Sequence, residues 1–241
     1  MAFLQSAPPR QPIFRAPQVV MWLIAGLSLA HAARVIASPA RSLAIISAYA
    51  FVPARYSHAF TAAHAGQAGT FWDLAVPFIS YMGLHSDFTH LAVNCLWLLA
   101  FGPTVARRFG TPLFLAFFII CGVAGAATHL AFNWGSPMPV VGASGAISGL
   151  MAAAVRMLPQ AQPWAVPGEA PLAPIFSRPI LVFSAVWVAI NVLAGLTGLG
   201  FGGDSGLIAW QVHLGSFAVG LVLCGPFDRL RPRGPGLPLE A

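Results

Sequence analysis

Gly142-Ala143-Ser144-Gly145-Ala146-Ile147-Ser148-Gly149 opens an apolar stretch that runs to about residue 158. How this stretch is read decides the fold. It falls short of the roughly 20 residues that a bilayer-crossing helix needs, and its Gly, Ala and Ser content gives it weak hydropathy. Small residues are nonetheless what a helix enclosed by other helices requires, because they let backbones close up. Counted as a helix, it is the fourth of six. The others are expected at 19–37, 89–105, 112–132, 179–199 and 207–226. The expected fold is all-α: a polytopic six-transmembrane-helix bundle, occupying 17–226, with a long first extracytoplasmic loop at about 38–84.

Composition points the same way. Of 241 residues, 58% are hydrophobic and 7% are charged, against about 25% charged in an ordinary soluble domain. So few charges cannot cover a water-facing surface, and the excess apolar surface must face membrane lipid. The net charge is +6, and every basic residue is Arg. Without Lys there is no Ser–Lys dyad, Schiff base or phosphate-loop lysine. No Arg cluster is interleaved with aromatics on a polar surface, so no nucleic-acid partner is expected. Cys95, Cys121 and Cys224 lie in apolar stretches and read as core residues.

The arginines set an orientation. Arg10 and Arg15 precede the first span, Arg107 and Arg108 follow the second, Arg156 and Arg178 bracket the loop after the fourth, and Arg229, Arg231 and Arg233 follow the sixth. All fall on one side if both termini are cytoplasmic. Arg41 and Arg55 are the exceptions, in the long first loop, where the rule is weaker. No small-residue cleavage site follows the first span, which therefore reads as a retained anchor. Residues 1–16 read as a cytoplasmic segment and 227–241 as a proline-rich, disordered cytoplasmic tail. The glycine-rich 195–206 reads as a turn or as a mobile cap.

Two polar residues at membrane depth carry the chemistry, since burying such groups without a purpose is costly. Ser144 opens the fourth span, and His213 lies in the sixth, about two turns (~9 Å) below its expected start. A serine and an imidazole make a nucleophile and its general base. No Asp or Glu lies in any of the six spans, so the unit reads as a dyad without a triad acid. His90 and Asn94 are four apart and share a helix face, with His85 in the turn before them. The Asn94 amide, the His90 imidazole and the Ser144 N–H at a helix N-terminus are candidate oxyanion donors. Gly142 and Gly145 flank the nucleophile. Gly145/Gly149 and Ser216/Gly220 form small-residue stripes that would let the fourth and sixth helices approach.

Taken together, these motifs resemble the rhomboid family of intramembrane serine proteases. The resemblance runs from about 71 to 225 and includes Gly102-Pro103-Thr104-Val105-Ala106-Arg107-Arg108-Phe109-Gly110, similar to the family's basic turn after the second helix. It implies a Ser144–His213 dyad needing no cofactor or metal, with His90 and Asn94 at the oxyanion and His85 as a structural histidine. It implies single-span membrane proteins as substrates, cut near their outer end, usually after a small residue. A short chain of this kind suits a bacterial inner membrane. Ser148 stands where many members carry an aromatic that stacks on the histidine. Asp73, in the first loop, is a second departure; Val212 and Ser216, like Ser148, change the packing around the histidine and bear on substrate preference and rate.

Rival readings fare worse on the residues. A proton-relay channel predicts acidic residues in the spans. A metalloprotease predicts His-Glu-x-x-His, and an aspartyl protease needs a partner for Asp204. A catalytically dead relative has no need of Ser144, His213, His90 and Asn94 together. His31, His58, His64 and His129 have no motif context. Phe183 and Trp187 read as bundle contacts, or as a lateral gate for substrate.

Overall fold

The computed structural model describes residues 16–63, 70–157, 170–198 and 209–231. Among these, helices dominate. They are α1 (Gln18–Ile36), α2 (Pro39–Tyr49), α3 (His58–Ala63), α4 (Phe71–Ala75), α5 (Pro77–Ser80), α6 (Phe88–Phe109), α7 (Thr111–Phe132), α8 (Ser144–Met157), α9 (Arg178–Thr197) and α10 (Trp210–Leu230). No strand forms among the described residues; one isolated antiparallel bridge joins Phe51 and Val140.

Helices α1, α6, α7, α9 and α10 are long and apolar enough to cross a membrane. Helix α8, at 14 residues, is about 21 Å long at 1.5 Å per residue, too short to span the hydrocarbon alone. It is instead the axis of the bundle. Every residue from Gly145 to Met157 is buried, with α6, α7 and α10 packed around it. The small-residue stripes make this possible. A Cβ on Gly220 would lie 2.5 Å from the Gly149 carbonyl oxygen, and one on Gly145 would lie 2.6 Å from Val212 Cγ1. Any larger residue at either position would push α8 and α10 apart.

The first loop folds as a cap over one end of the bundle. Ser38 accepts from the Arg41 N–H and starts α2. Phe51 packs among Tyr56, Phe78 and Tyr81, with ring centroids 5.5, 4.8 and 6.2 Å away. Its backbone pairs with Val140 through two hydrogen bonds of 3.0 and 2.8 Å. The chain entering α8 is thereby pinned to the loop. At the opposite end, Arg108 donates to both carboxylate oxygens of Asp228 at 2.6 and 2.9 Å, and to the Ala170 carbonyl at 2.8 Å. Arg156 donates to the carbonyls of Ala173 at 3.0 Å and Leu221 at 2.6 Å. These cations stitch α6, α8 and α10 to the segment before α9.

Three boundaries differ from the sequence reading. Helix α6 continues to Phe109, past the expected end at 105, so Arg107 and Arg108 lie in its last turn and not in a turn after it. Helix α10 differs at both ends. Helix α10 begins at Trp210, so His213 sits in its first turn and not two turns deep. The helix also continues through Pro226 to Leu230, past the expected end at 226. Its backbone survives because a proline removes only one donor and the neighbouring turns hold. Residues 1–15, His64, the 199–206 part of the glycine-rich turn and the 232–241 part of the tail lie outside the described residues.

Candidate active site

Ser144 is the first residue of α8 and His213 is in the first turn of α10. The seam between these helices brings them into contact: His213 Nε2 lies 2.8 Å from Ser144 Oγ. On the other edge of the ring, Nδ1 lies 2.7 Å from Asn191 Oδ1. Asn191, on α9, is 5% exposed and was not singled out in the sequence. Its signal in the sequence is the same as that of His213, a polar side chain inside an apolar span.

Gly142 shapes the approach to the serine. Its φ of +119° is a conformation that side-chain-bearing residues avoid, and its N–H donates to the Tyr81 carbonyl at 2.9 Å. A Cβ there would lie 2.7 Å from His90 Nε2 and 3.7 Å from Ser144 Oγ. The missing side chain therefore leaves space between the His90 ring and the Ser144 hydroxyl. Tyr81 is itself anchored, its hydroxyl donating to the Gly122 carbonyl at 2.8 Å.

His90 is held from behind. Asp87 caps α6 by accepting from the His90 N–H at 2.8 Å. The Ser86 hydroxyl donates to Asp87 at 2.8 Å and lies 3.1 Å from His90 Nδ1. A hydroxyl has one proton, so with that proton on Asp87 it accepts from Nδ1–H. A neutral His90 then presents a lone pair at Nε2, and it donates towards the serine only when doubly protonated. The Asp87 carboxyl, stabilised first by this backbone bond and then by Ser86, is held below its ordinary range.

Asn94, one turn along α6, gives its amide to the His90 carbonyl at 2.8 Å, and its buried Oδ1 has no protein partner. His85 lies behind His90, edge to face with ring centroids 5.2 Å apart, and 6.5 Å from the ring of His31 on α1. Both of its ring nitrogens are buried without a protein partner. Burial first, then the charges of His90, His31 and Arg34, push its pKa down to about 3. It is a neutral packing residue beneath the site. Arg34 fastens this turn by donating to the carbonyls of His85 at 2.6 Å and Ser86 at 2.9 Å.

The remaining residues singled out in the sequence fall elsewhere. Gly145 lines the α8–α10 seam, and Ser216 donates to the Cys121 carbonyl at 2.8 Å. Ser148 donates back to the Ser144 carbonyl at 2.8 Å. His129 packs against Asn133 at the end of α7. Phe183 and Trp187 stack on Phe217, with centroids 6.2 and 6.3 Å away. The three cysteines are free, and no cluster of potential metal ligands occurs among the described residues.

A multi-pass helical membrane protein with a serine–histidine pair at the mouth of an enclosed central helix is the class that this fold and site define. The chain belongs to the rhomboid family: the Rhomboid domain model matches residues 68–227. Over 85 residues it is 38% identical to the rhomboid protease GluP of Bacillus subtilis (strain 168). That stretch is 35% of this chain and 15% of the length of that relative.

Proposed function

We propose that this protein is an intramembrane serine endopeptidase that hydrolyses peptide bonds in or near the transmembrane segments of membrane proteins. The observation that carries the reading is the 2.8 Å contact between Ser144 Oγ and His213 Nε2, made across two helices at one end of the bundle. In this reading Ser144 Oγ attacks the peptide carbonyl while His213 Nε2 takes its proton. The developing oxyanion enters the space left by Gly142. Free N–H groups at the N-terminus of α8 face it, and His90 lines the other side of that space. His213 returns the proton to the leaving amine, and water then releases the acyl group by the same steps in reverse order. No metal or cofactor takes part.

Substrates would be single-span proteins presented from the membrane, cut close to the Ser144 end of α8. Six crossings are proposed, with α8 as the enclosed fourth. The arginine pattern supports cytoplasmic termini and a site opening to the opposite, outer face, as in a bacterial inner membrane. The 1–16 segment and the tail would be cytoplasmic.

A fluorophosphonate probe tests the assignment. It should label the wild-type protein in detergent or proteoliposomes at Ser144, and cleavage of a single-span reporter should fall to background in Ser144→Ala and in His213→Ala, with thermal unfolding unchanged. Equal labelling of the Ser144→Ala variant sinks the nucleophile.

A further inference from the structure

Asn191 is the polar residue in α9 with two committed hydrogen bonds, and their chemistry fixes a proton. Its Nδ2 lies 2.8 Å from the Trp187 carbonyl. A carbonyl only accepts, so the end of the amide facing it must be the NH2 group. That leaves Oδ1 facing the imidazole, 2.7 Å from His213 Nδ1. Oδ1 also only accepts, so Nδ1 carries the proton. A neutral ring has one N–H, so Nε2 bears the lone pair, 2.8 Å from Ser144 Oγ. The chain Trp187 carbonyl, Asn191 amide, imidazole and serine hydroxyl thus runs in one direction and ends with the serine donating.

The placement of Asn191 follows from a matched pair of helix stripes. Phe183, Trp187 and Asn191 are spaced four apart on α9, and His213 and Phe217 are spaced four apart on α10. Phe183 and Trp187 stack on Phe217, which sets the register that puts Asn191 on His213. Ser148, one turn after the nucleophile, spends its hydroxyl on the Ser144 carbonyl and so does not hold the ring.

We infer that Asn191 is a positioning residue: from α9 it sets the tautomer and ring orientation of His213, the base of the reaction proposed above. Helix α9 is the least buried of the candidate spans, with 17% of its most apolar window inside the structure, and it packs chiefly on α10.

The test compares the full chain with Asn191→Leu and Asn191→Asp in proteoliposomes, using a single-span reporter. Asn191→Leu should lower kcat roughly tenfold to a hundredfold with KM unchanged, less than outright loss of a general base. Asn191→Asp should restore most of the rate and move the acid limb of the kcat profile to higher pH, because an adjacent carboxylate favours the protonated imidazole. A merely structural amide would move neither. A second reading needs no turnover: with isotope-labelled histidine, the Nδ1–H resonance that His213→Ala removes should be exchange-protected in the wild type and lost in Asn191→Leu. Wild-type kcat in Asn191→Leu, or an unmoved resonance there, overturns the positioning role. If the wild type is neither labelled at Ser144 nor able to cut the reporter, the protease reading fails, and the resonance still decides whether Asn191 holds the ring.

Discussion

The two ends of α8 are both polar and both buried, yet they are built in opposite ways. At the Met157 end, Arg108 and Arg156 spend their guanidinium groups on a carboxylate and on backbone carbonyls of neighbouring segments. At the Ser144 end, polar atoms are left over: His85 Nδ1 and Nε2, His31 Nδ1 and Asn94 Oδ1 have no protein partner. An unmatched buried group costs about 1–3 kcal/mol. A membrane bundle tolerates that only where water or a substrate completes the bonds. One end is tied by cations that link the helices, and the other gathers histidine and amide groups around Ser144.

Filling the Ser144 end should cost activity and leave the fold largely intact. Gly142→Ala forces a side chain into a φ of +119° and places its Cβ 2.7 Å from His90 Nε2. We expect kcat to fall by roughly 10²–10³, the loss typical of one oxyanion donor, with a stability cost of about 1–3 kcal/mol from the backbone. Steady-state cleavage alongside thermal unfolding separates the two. Wild-type turnover in this variant removes Gly142 from the site.

The opposite end should respond the other way round. Arg108→Leu strips Asp228 of its bidentate partner, leaving Arg231 at 3.2 Å. Breaking a buried pair from one side typically costs about 3–5 kcal/mol, and the surviving Arg231 contact keeps the expected loss near about 3 kcal/mol. The kcat per folded molecule should stay at the wild-type value. A selective loss of turnover with no loss of stability would erase the distinction between the two ends.

Much of this contrast was legible in the sequence. The small residues of 144–158 mark the enclosed helix, because nothing larger fits between Gly149 and Gly220. Ser144 and His213 stand out because polarity is expensive at that depth. What escaped was long-range. The Phe51–Val140 bridge joins segments whose pairing no local pattern signals, and Asn191 gains its meaning only when α9 and α10 adopt one register. The start of α10 was placed too early because the apolar run in the sequence already begins at 207, whereas the helix begins at Trp210.

The smallest effect is a pH dependence confined to the Ser144 end. His85 faces His31 and Arg34 from α1, His90 from α6, and Asp87 in its own turn; its burial first, then its interactions with His90, His31 and Arg34, outweigh the Asp87 charge and depress its pKa to about 3. An unfolded chain binds a proton at this position below about pH 6.5, while the folded chain does not. Stability is therefore complete above that value and declines as the pH falls from it towards 3, by at most about 1.4 kcal/mol per pH unit. The Asp87 carboxyl, also held low, loses its contribution only below about pH 4, so it stays out of the interval above that, where the difference between wild type and a His85 variant reports His85. His85→Phe keeps a ring against His31 and His90 and carries no proton. Thermal unfolding between pH 4.5 and 7 should be flatter in this variant than in the wild type. Parallel curves would mean that the folded protein protonates His85 readily, and that its cradle is wetter than its burial implies.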